Sequence, residues 1–409
     1  MLYENRLPYK FICLLLFLFS LNIFNQSSLI LAAVVMLVVL VDRGHLYIIF
    51  KDNTFFALVL FSVTFFVFSA QSGLGAGISA IGCPMAYYLG LRLQQEREEN
   101  MGQSEGCLNR VTLILVSGMT CHAIVNFIYE LVRFGGINPG GIHYDLFSLG
   151  AQTSATGAAT YLTLFAGVIF YIVMETRKIW SRIVGVGLII IAFAYDMVLG
   201  GRTFFALAGL ATIASMLVFL FGQENALEKL RAWKKIIFVS AVLVVCVVLI
   251  YIRYQQKITK IFESTYLFHR ISYAKVSESQ DLFSFFKSSD RGNVRNQYIN
   301  LMFDYPFGGR KILGEIGLYA HELWLDIFDS AGIVPFVLIW IITLQITFCN
   351  IRYIFNKEVP IGNRVLIVGI TTAVTVQFFF EPILTGCRAL LFSYFLICGM
   401  VKNQNARFY

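Results

Sequence analysis

Charged side chains are scarce: Asp, Glu, Lys and Arg make up 14% of the 409 residues, against 58% hydrophobic residues and a mean hydropathy of +0.72. Soluble domains carry roughly a quarter of their residues as charges, so this shortage excludes an ordinary soluble protein. The eight cysteines fall mostly within or beside apolar runs and none lies between residues 254 and 320, so no disulfide framework is legible. Cys121 and His122, inside one apolar run, lack metal-ligand spacing and read as packing between helices. There is no G-x-G-x-x-G, no P-loop, no D-x-D pair in the longer loops, no low-complexity tail and no detectable repeat. A nucleotide-binding domain and a metal site built on paired acids are therefore not expected.

What the chain does contain is apolar helix. A hydrocarbon core about 30 Å thick takes roughly 20 helical residues per crossing, and shorter runs cross where their ends snorkel or the bilayer thins. The sequence accordingly reads as an all-α polytopic membrane protein with about twelve spans, near residues 9–25, 27–42, 53–70, 73–92, 110–133, 155–175, 183–199, 203–221, 236–253, 322–350, 364–382 and 387–401. The first two are short enough to form a re-entrant pair. The first apolar run leads into another with no small-residue cleavage site between them, which does not fit a removed signal. One integral membrane unit is expected: spans 1–9 in residues 1–253, a long loop at 254–320, and spans 10–12 in residues 321–409.

Lysine and arginine set the expected orientation. Alternate connections hold Arg43 and Lys51; Arg92, Arg97 and Arg110; Arg177, Lys178 and Arg182; Lys229, Arg231, Lys234 and Lys235; and Arg352, Lys357 and Arg364. With Arg6, Lys10, Lys402 and Arg407 they make one cytoplasmic face, placing both termini inside. These residues, facing anionic lipid headgroups, account for most of the formal charge of +8, and nucleic acid is not implied. The opposite face has short loops apart from residues 134–153 and 254–320. Long translocated loops escape the positive-inside rule, so arginines in the second of these ask for an anionic partner on the outer side.

The polar segment from Arg253 to Ala320 is thus the place for polar chemistry. Ser288, Ser289 and Asp290 offer N-caps for a helix over about Arg291 to Asp304, which Pro306, Gly308 and Gly309 end. Arg291 and Arg295 share a face of that helix, continued by Tyr298 and Met302, and two guanidinium groups so placed form a clamp. The glycine-rich loop at 134–153 reads as a lid or, more simply, as a structural connection.

Arg202 lies in LGGRTFF, a turn between two apolar runs, where interfacial anchoring accounts for it equally well. His321 opens the expected tenth span, HELWLDIFDSAGIVPF, in which continuous helix would align residues 321, 325, 328 and 332. Asp326 and Asp329 point off that face and read as partners for basic groups in neighbouring spans. Arg310 and Lys311 fit either a bound anion or a solvated surface. Arg388 fits a binding pocket or a structural pair with Glu381. Tyr298, Tyr319 and Trp324 fit sugar stacking or interfacial anchoring.

Arg291, the YPFGG run, His321 with Leu325 and Gly332, and the lone Arg202 together resemble the bacterial O-antigen ligase and polymerase family. The layout matches over about residues 150–400, while Glu322 stands where the family often has asparagine. The resemblance implies a GT-C-like inner-membrane glycosyltransferase that needs no metal or other cofactor. Its donor would be a glycan linked to undecaprenyl diphosphate at the outer, periplasmic face. It also implies that Arg202 and Arg291 bind the diphosphate and that His321 is the base. Arg295 and Arg310 would hold the second phosphate or the acceptor glycan. Membrane lipid and a chain-length regulator are the partners it admits. A polymerase is the leading expectation, an O-antigen ligase with lipid A-core as acceptor its close rival. A lipid-glycan flippase is the reading of another class, to which Glu130, Asp196 and Asp326, as intramembrane acids, would speak.

Overall fold

The computed structural model describes residues 9–41, 52–72, 74–101, 105–137, 142–175, 179–200, 203–223, 226–265, 268 and 291–405. The chain folds as α1 (Tyr9–Ser20), α2 (Ser27–Val41), α3 (Asn53–Phe68), α4 (Leu74–Met101) and α5 (Glu105–Phe134), then a hairpin of β1 (Ile142–Asp145) and β2 (Ala151–Ser154). After it come α6 (Ala155–Thr160), α7 (Thr163–Glu175), α8 (Ile179–Leu199), α9 (Thr203–Phe221) and α10 (Ala226–Glu263). The last part holds α11 (Arg291–Leu301), α12 (Lys311–Ile316), α13 (Leu323–Ala331), α14 (Ile333–Phe355), α15 (Ile361–Phe378), α16 (Ile383–Gly386) and α17 (Arg388–Asn405).

Among the described residues, six stretches are long and apolar enough to cross a membrane: Gly106–Phe134, Ala155–Met174, Trp180–Leu199, Thr203–Phe221, Ile333–Phe355 and Ile361–Phe378. Lys10–Ser20, Ser27–Leu40 and Asn53–Phe68 are apolar but shorter. Large apolar side chains such as Val132, Trp180, Ile190, Leu210 and Phe348 stand on the outside of the bundle, the arrangement a hydrocarbon solvent favours. The protein is thus a membrane-embedded helical bundle.

Helices without a hydrophobic drive to associate in lipid pack through small residues that let backbones touch. Two such seams organise the bundle. α15 lies between α7 and α9, and a Cβ added at Gly369 would sit 2.0 Å from the carbonyl oxygen of Gly167. α17 runs along α4, where a Cβ at Gly90 would meet the Leu396 carbonyl at 2.0 Å and one at Gly399 the Tyr87 carbonyl at 2.2 Å.

Two of the expected spans gain detail. The expected end of the ninth at Arg253 coincides with a kink: Tyr254 (φ −123°) is non-helical, and a second helical piece runs on from it to Glu263. The expected span at 322–350 is two helices, because Gly332 takes φ 82° and ψ −168°, a conformation that no helix contains and only glycine adopts readily. Pro335, in the first turn of α14, lacks an N–H where a helix needs none. All nine residues of α13 are buried, and it packs on α3, α14 and α16 at the end of the bundle where α15 stops and α17 starts.

The described part of the 134–153 connection is a pinned hairpin. Asn126 donates to Asp145 Oδ1 at 2.9 Å and accepts from the Leu146 N–H. Glu130 accepts from the Tyr144 N–H at 2.8 Å and lies 3.1 Å from His143 Nδ1. His122 stacks on Tyr161 with ring centroids 3.6 Å apart, and its Nε2 is 3.3 Å from Asp145. His122 therefore packs between helices, as its sequence position suggests, while Glu130 is committed to the hairpin. These contacts make the segment a structural connection.

Candidate functional site

The polar segment holds its own small core. On α11 the stripe Val294–Tyr298 packs with Ile312, Ala320, Leu325 and Phe328, and the Tyr298 hydroxyl donates to the Leu318 carbonyl at 3.0 Å. The adjacent stripe, Arg291 and Arg295, is thereby turned to the bundle. The helix ends at Leu301, slightly before the expected Asp304. Its expected caps Ser288, Ser289 and Asp290 lie outside the described residues, as does Arg202.

The YPFGG run and Gly332, far apart in sequence, meet backbone to backbone. The Ile333 N–H donates to the Pro306 carbonyl at 2.9 Å, Gly309 N–H to Ser330 at 3.3 Å and Arg310 N–H to Asp329 at 2.7 Å. A Cβ on Gly308 would lie 2.5 Å from Gly332 N, and one on Gly332 2.4 Å from the Pro306 oxygen. Gly332 is small because this loop, and not another helix or a lipid chain, touches it. Asp329 Oδ1 accepts from the Ile312 and Leu313 N–H groups, so it caps α12, and among the described residues it pairs with no basic group of a neighbouring span.

Arg291, Arg295 and Arg310 each meet a buried carboxylate. Arg291 Nη2 is 3.7 Å from Glu381 Oε1, while its Nη1 donates to the Phe380 carbonyl at 3.2 Å. Arg295 Nε is 3.4 Å from Glu322 Oε2. Arg310, at φ 59°, donates from Nη1 to Asp326 Oδ1 at 3.1 Å, and Thr385 donates to Oδ2 at 3.1 Å. The partner of Asp326 thus comes from the polar segment. Burial pushes all three carboxyls up against the pull of their arginines: Glu381 to about 7, Glu322 and Asp326 above their ordinary range. Their positions in apolar runs gave no sequence signal for these pairs.

His321 stands outside α13, two residues before its start, with φ 53°. The continuous face through 321, 325, 328 and 332 is therefore lost at both ends. Its Nδ1 is buried and has no hydrogen-bond partner among the described residues. Burial and then the Arg291 charge hold the ring below 6.5, so it is neutral at pH 7.

The remaining candidates separate by exposure. Trp324 is 2% exposed, stacks on Trp340 with centroids 4.5 Å apart and abuts Phe379; Tyr298 is 1% exposed. Neither offers a ring face to a sugar, because both fill the core beneath the arginines. Tyr319 is exposed, with the Arg310 guanidinium 5.8 Å from its ring centre. Lys311 is exposed. Arg388 opens α17 half-buried and makes no ion pair among the described residues; Glu381 goes to Arg291 instead.

The cluster can bind an anion through partly exposed arginines and accept a proton at a neutral imidazole. Among the described residues, no three His, Cys, Asp or Glu side chains gather at metal-binding spacing. No protein-family model matches the chain, and no curated protein matches it in sequence.

Proposed function

We propose that this protein is an O-antigen or capsule-type polysaccharide polymerase of the bacterial inner membrane. It would move a growing glycan from undecaprenyl diphosphate to a lipid-linked repeat unit on the periplasmic side. In this reading the arginine cluster and His321 face the periplasm, the bundle is of GT-C type with about twelve crossings, and both termini are cytoplasmic. The observation that carries the reading is His321 itself: a neutral imidazole with a buried nitrogen that has no hydrogen-bond partner among the described residues, beside a partly exposed arginine, at one end of a membrane bundle.

The chemistry follows from those groups. As the acceptor hydroxyl attacks the anomeric carbon, its proton passes to His321 and the bond from that carbon to the phosphate oxygen breaks, inverting the centre. Negative charge then grows on the leaving diphosphate. Arg291, with Arg202 and Arg295, would receive it through parallel N–H···O bonds, which strengthen as the charge develops.

Deletion of the gene distinguishes the readings. Loss of a polymerase leaves lipopolysaccharide capped with single repeat units. Loss of a ligase leaves bare core with polymer accumulating on its lipid carrier, and loss of a flippase traps repeat units inside. Arg291→Ala and His321→Ala are each expected to abolish polymer while the protein still inserts. A normal chain-length ladder from either variant would overturn the assignment.

A further inference from the structure

Arg291 donates one hydrogen bond, to the Phe380 carbonyl, and is held only loosely by Glu381. Its 3.7 Å contact with Glu381 is too long for a hydrogen bond, and the Glu381 oxygen it faces is buried with no hydrogen-bond partner among the described residues. The carboxyl side chain is 9% exposed and the arginine side chain 34%. A buried carboxylate oxygen that receives a charge but no hydrogen bond is poorly compensated. A phosphate, with two oxygens matched to the guanidinium fork, is the better partner. Arg295 and Glu322 repeat the arrangement at 3.4 Å, with side chains 48% and 7% exposed.

We propose that Glu381 is a proton-accepting placeholder. An incoming diphosphate takes Arg291 away from it, and the released buried carboxylate binds one proton drawn from water. This rests on the diphosphate reading of Arg291 given above. Glu381 is faced by Arg291 from α11 and by the Thr156 hydroxyl from α6, both of which draw its titration down, while burial pushes it up to about 7. His321, from the chain before α13, senses the same guanidinium. Spending the Arg291 charge on phosphate leaves burial opposed by Thr156 alone, so the carboxyl rises further.

The sign of the linkage follows. Below about pH 7 Glu381 is already protonated and binding is strongest. Above it each binding event must take up a proton, so affinity falls with rising pH by at most about tenfold per unit. Protonation of His321 also favours an anion, but in a separate window below 6.5.

The test is calorimetric binding of farnesyl-diphosphate-linked N-acetylglucosamine to the purified full chain. This diphosphate diester keeps its charge between about pH 6 and about pH 9. Titrations in buffers of different ionisation heat count the protons taken up. The wild type is expected to take up close to about one proton per ligand near pH 8. Glu381→Gln is expected to bind at least as tightly there, with no uptake. Wild-type binding without uptake, or uptake that survives in Glu381→Gln, overturns the placeholder and leaves the diphosphate reading standing. Absence of wild-type binding at every pH overturns both.

Discussion

At the scale of single residues, the site works through differences in burial. Arg291 keeps part of its guanidinium in the open, whereas Glu381, Glu322 and Asp326 lie beneath the surface and are pushed toward their neutral forms. His321 is pushed the other way, because burial and a neighbouring cation both penalise its charged form. Its ring should therefore titrate below 6.5, and transfer activity at saturating donor should be level above that pH and fall as acid protonates it. Histidine-edited NMR of the detergent-solubilised protein checks the cause: Arg291→Gln should raise the His321 titration toward 6.5, and an unchanged titration would show the two groups uncoupled. Arg291, Arg295 and His321 were legible as polar residues in an apolar chain. Their carboxylate partners were not, since an acid near the end of an apolar helix announces neither its depth nor its neighbour.

At the scale of elements, the break between α13 and α14 is what separates the short helix following His321 from the long apolar helix Ile333–Phe355. Hydropathy cannot see that break, since LWLDIFDSAGIVPF is apolar on balance on both sides of it, and Gly332 is informative only through a backbone angle that other residues resist. Gly332→Ala should cost about 1–3 kcal/mol from that conformation alone, and more from the collision with Pro306. Asp329→Ala strands the Ile312 and Leu313 N–H groups and should cost about 1–3 kcal/mol. Thermal unfolding in detergent measures both. A Gly332→Ala protein as stable as the wild type would show that the chain can bridge α13 and α14 another way. The helix over Arg291–Leu301 was readable from its spacing, whereas the helical piece between the Tyr254 kink and Glu263 was not, because it is polar and lies in what reads as loop.

At the scale of the whole molecule, backbone contact between small residues holds together the helices that carry the site. α15 ends three residues before Glu381, and α17 begins seven residues after it. Gly369→Leu forces a side chain into the Gly167 carbonyl, and Gly399→Leu one into Tyr87. Each should part the two helices concerned and abolish a folded, monodisperse protein on size-exclusion chromatography, whereas Gly187→Leu, where nothing lies within 4 Å, should not. A Gly369→Leu protein that elutes and melts like the wild type would refute that seam. Composition alone determined that this chain lives in a membrane and that its polar segment is exceptional, because transfer free energy is additive along a sequence and needs no partner. Only the tertiary structure decided that Arg291, Arg295 and Arg310 lie against Glu381, Glu322 and Asp326, and that YPFGG seats on Gly332. Those are contacts between distant segments, fixed by how the backbones cross and by how deeply each charge is buried, and neither quantity is local to a stretch of sequence.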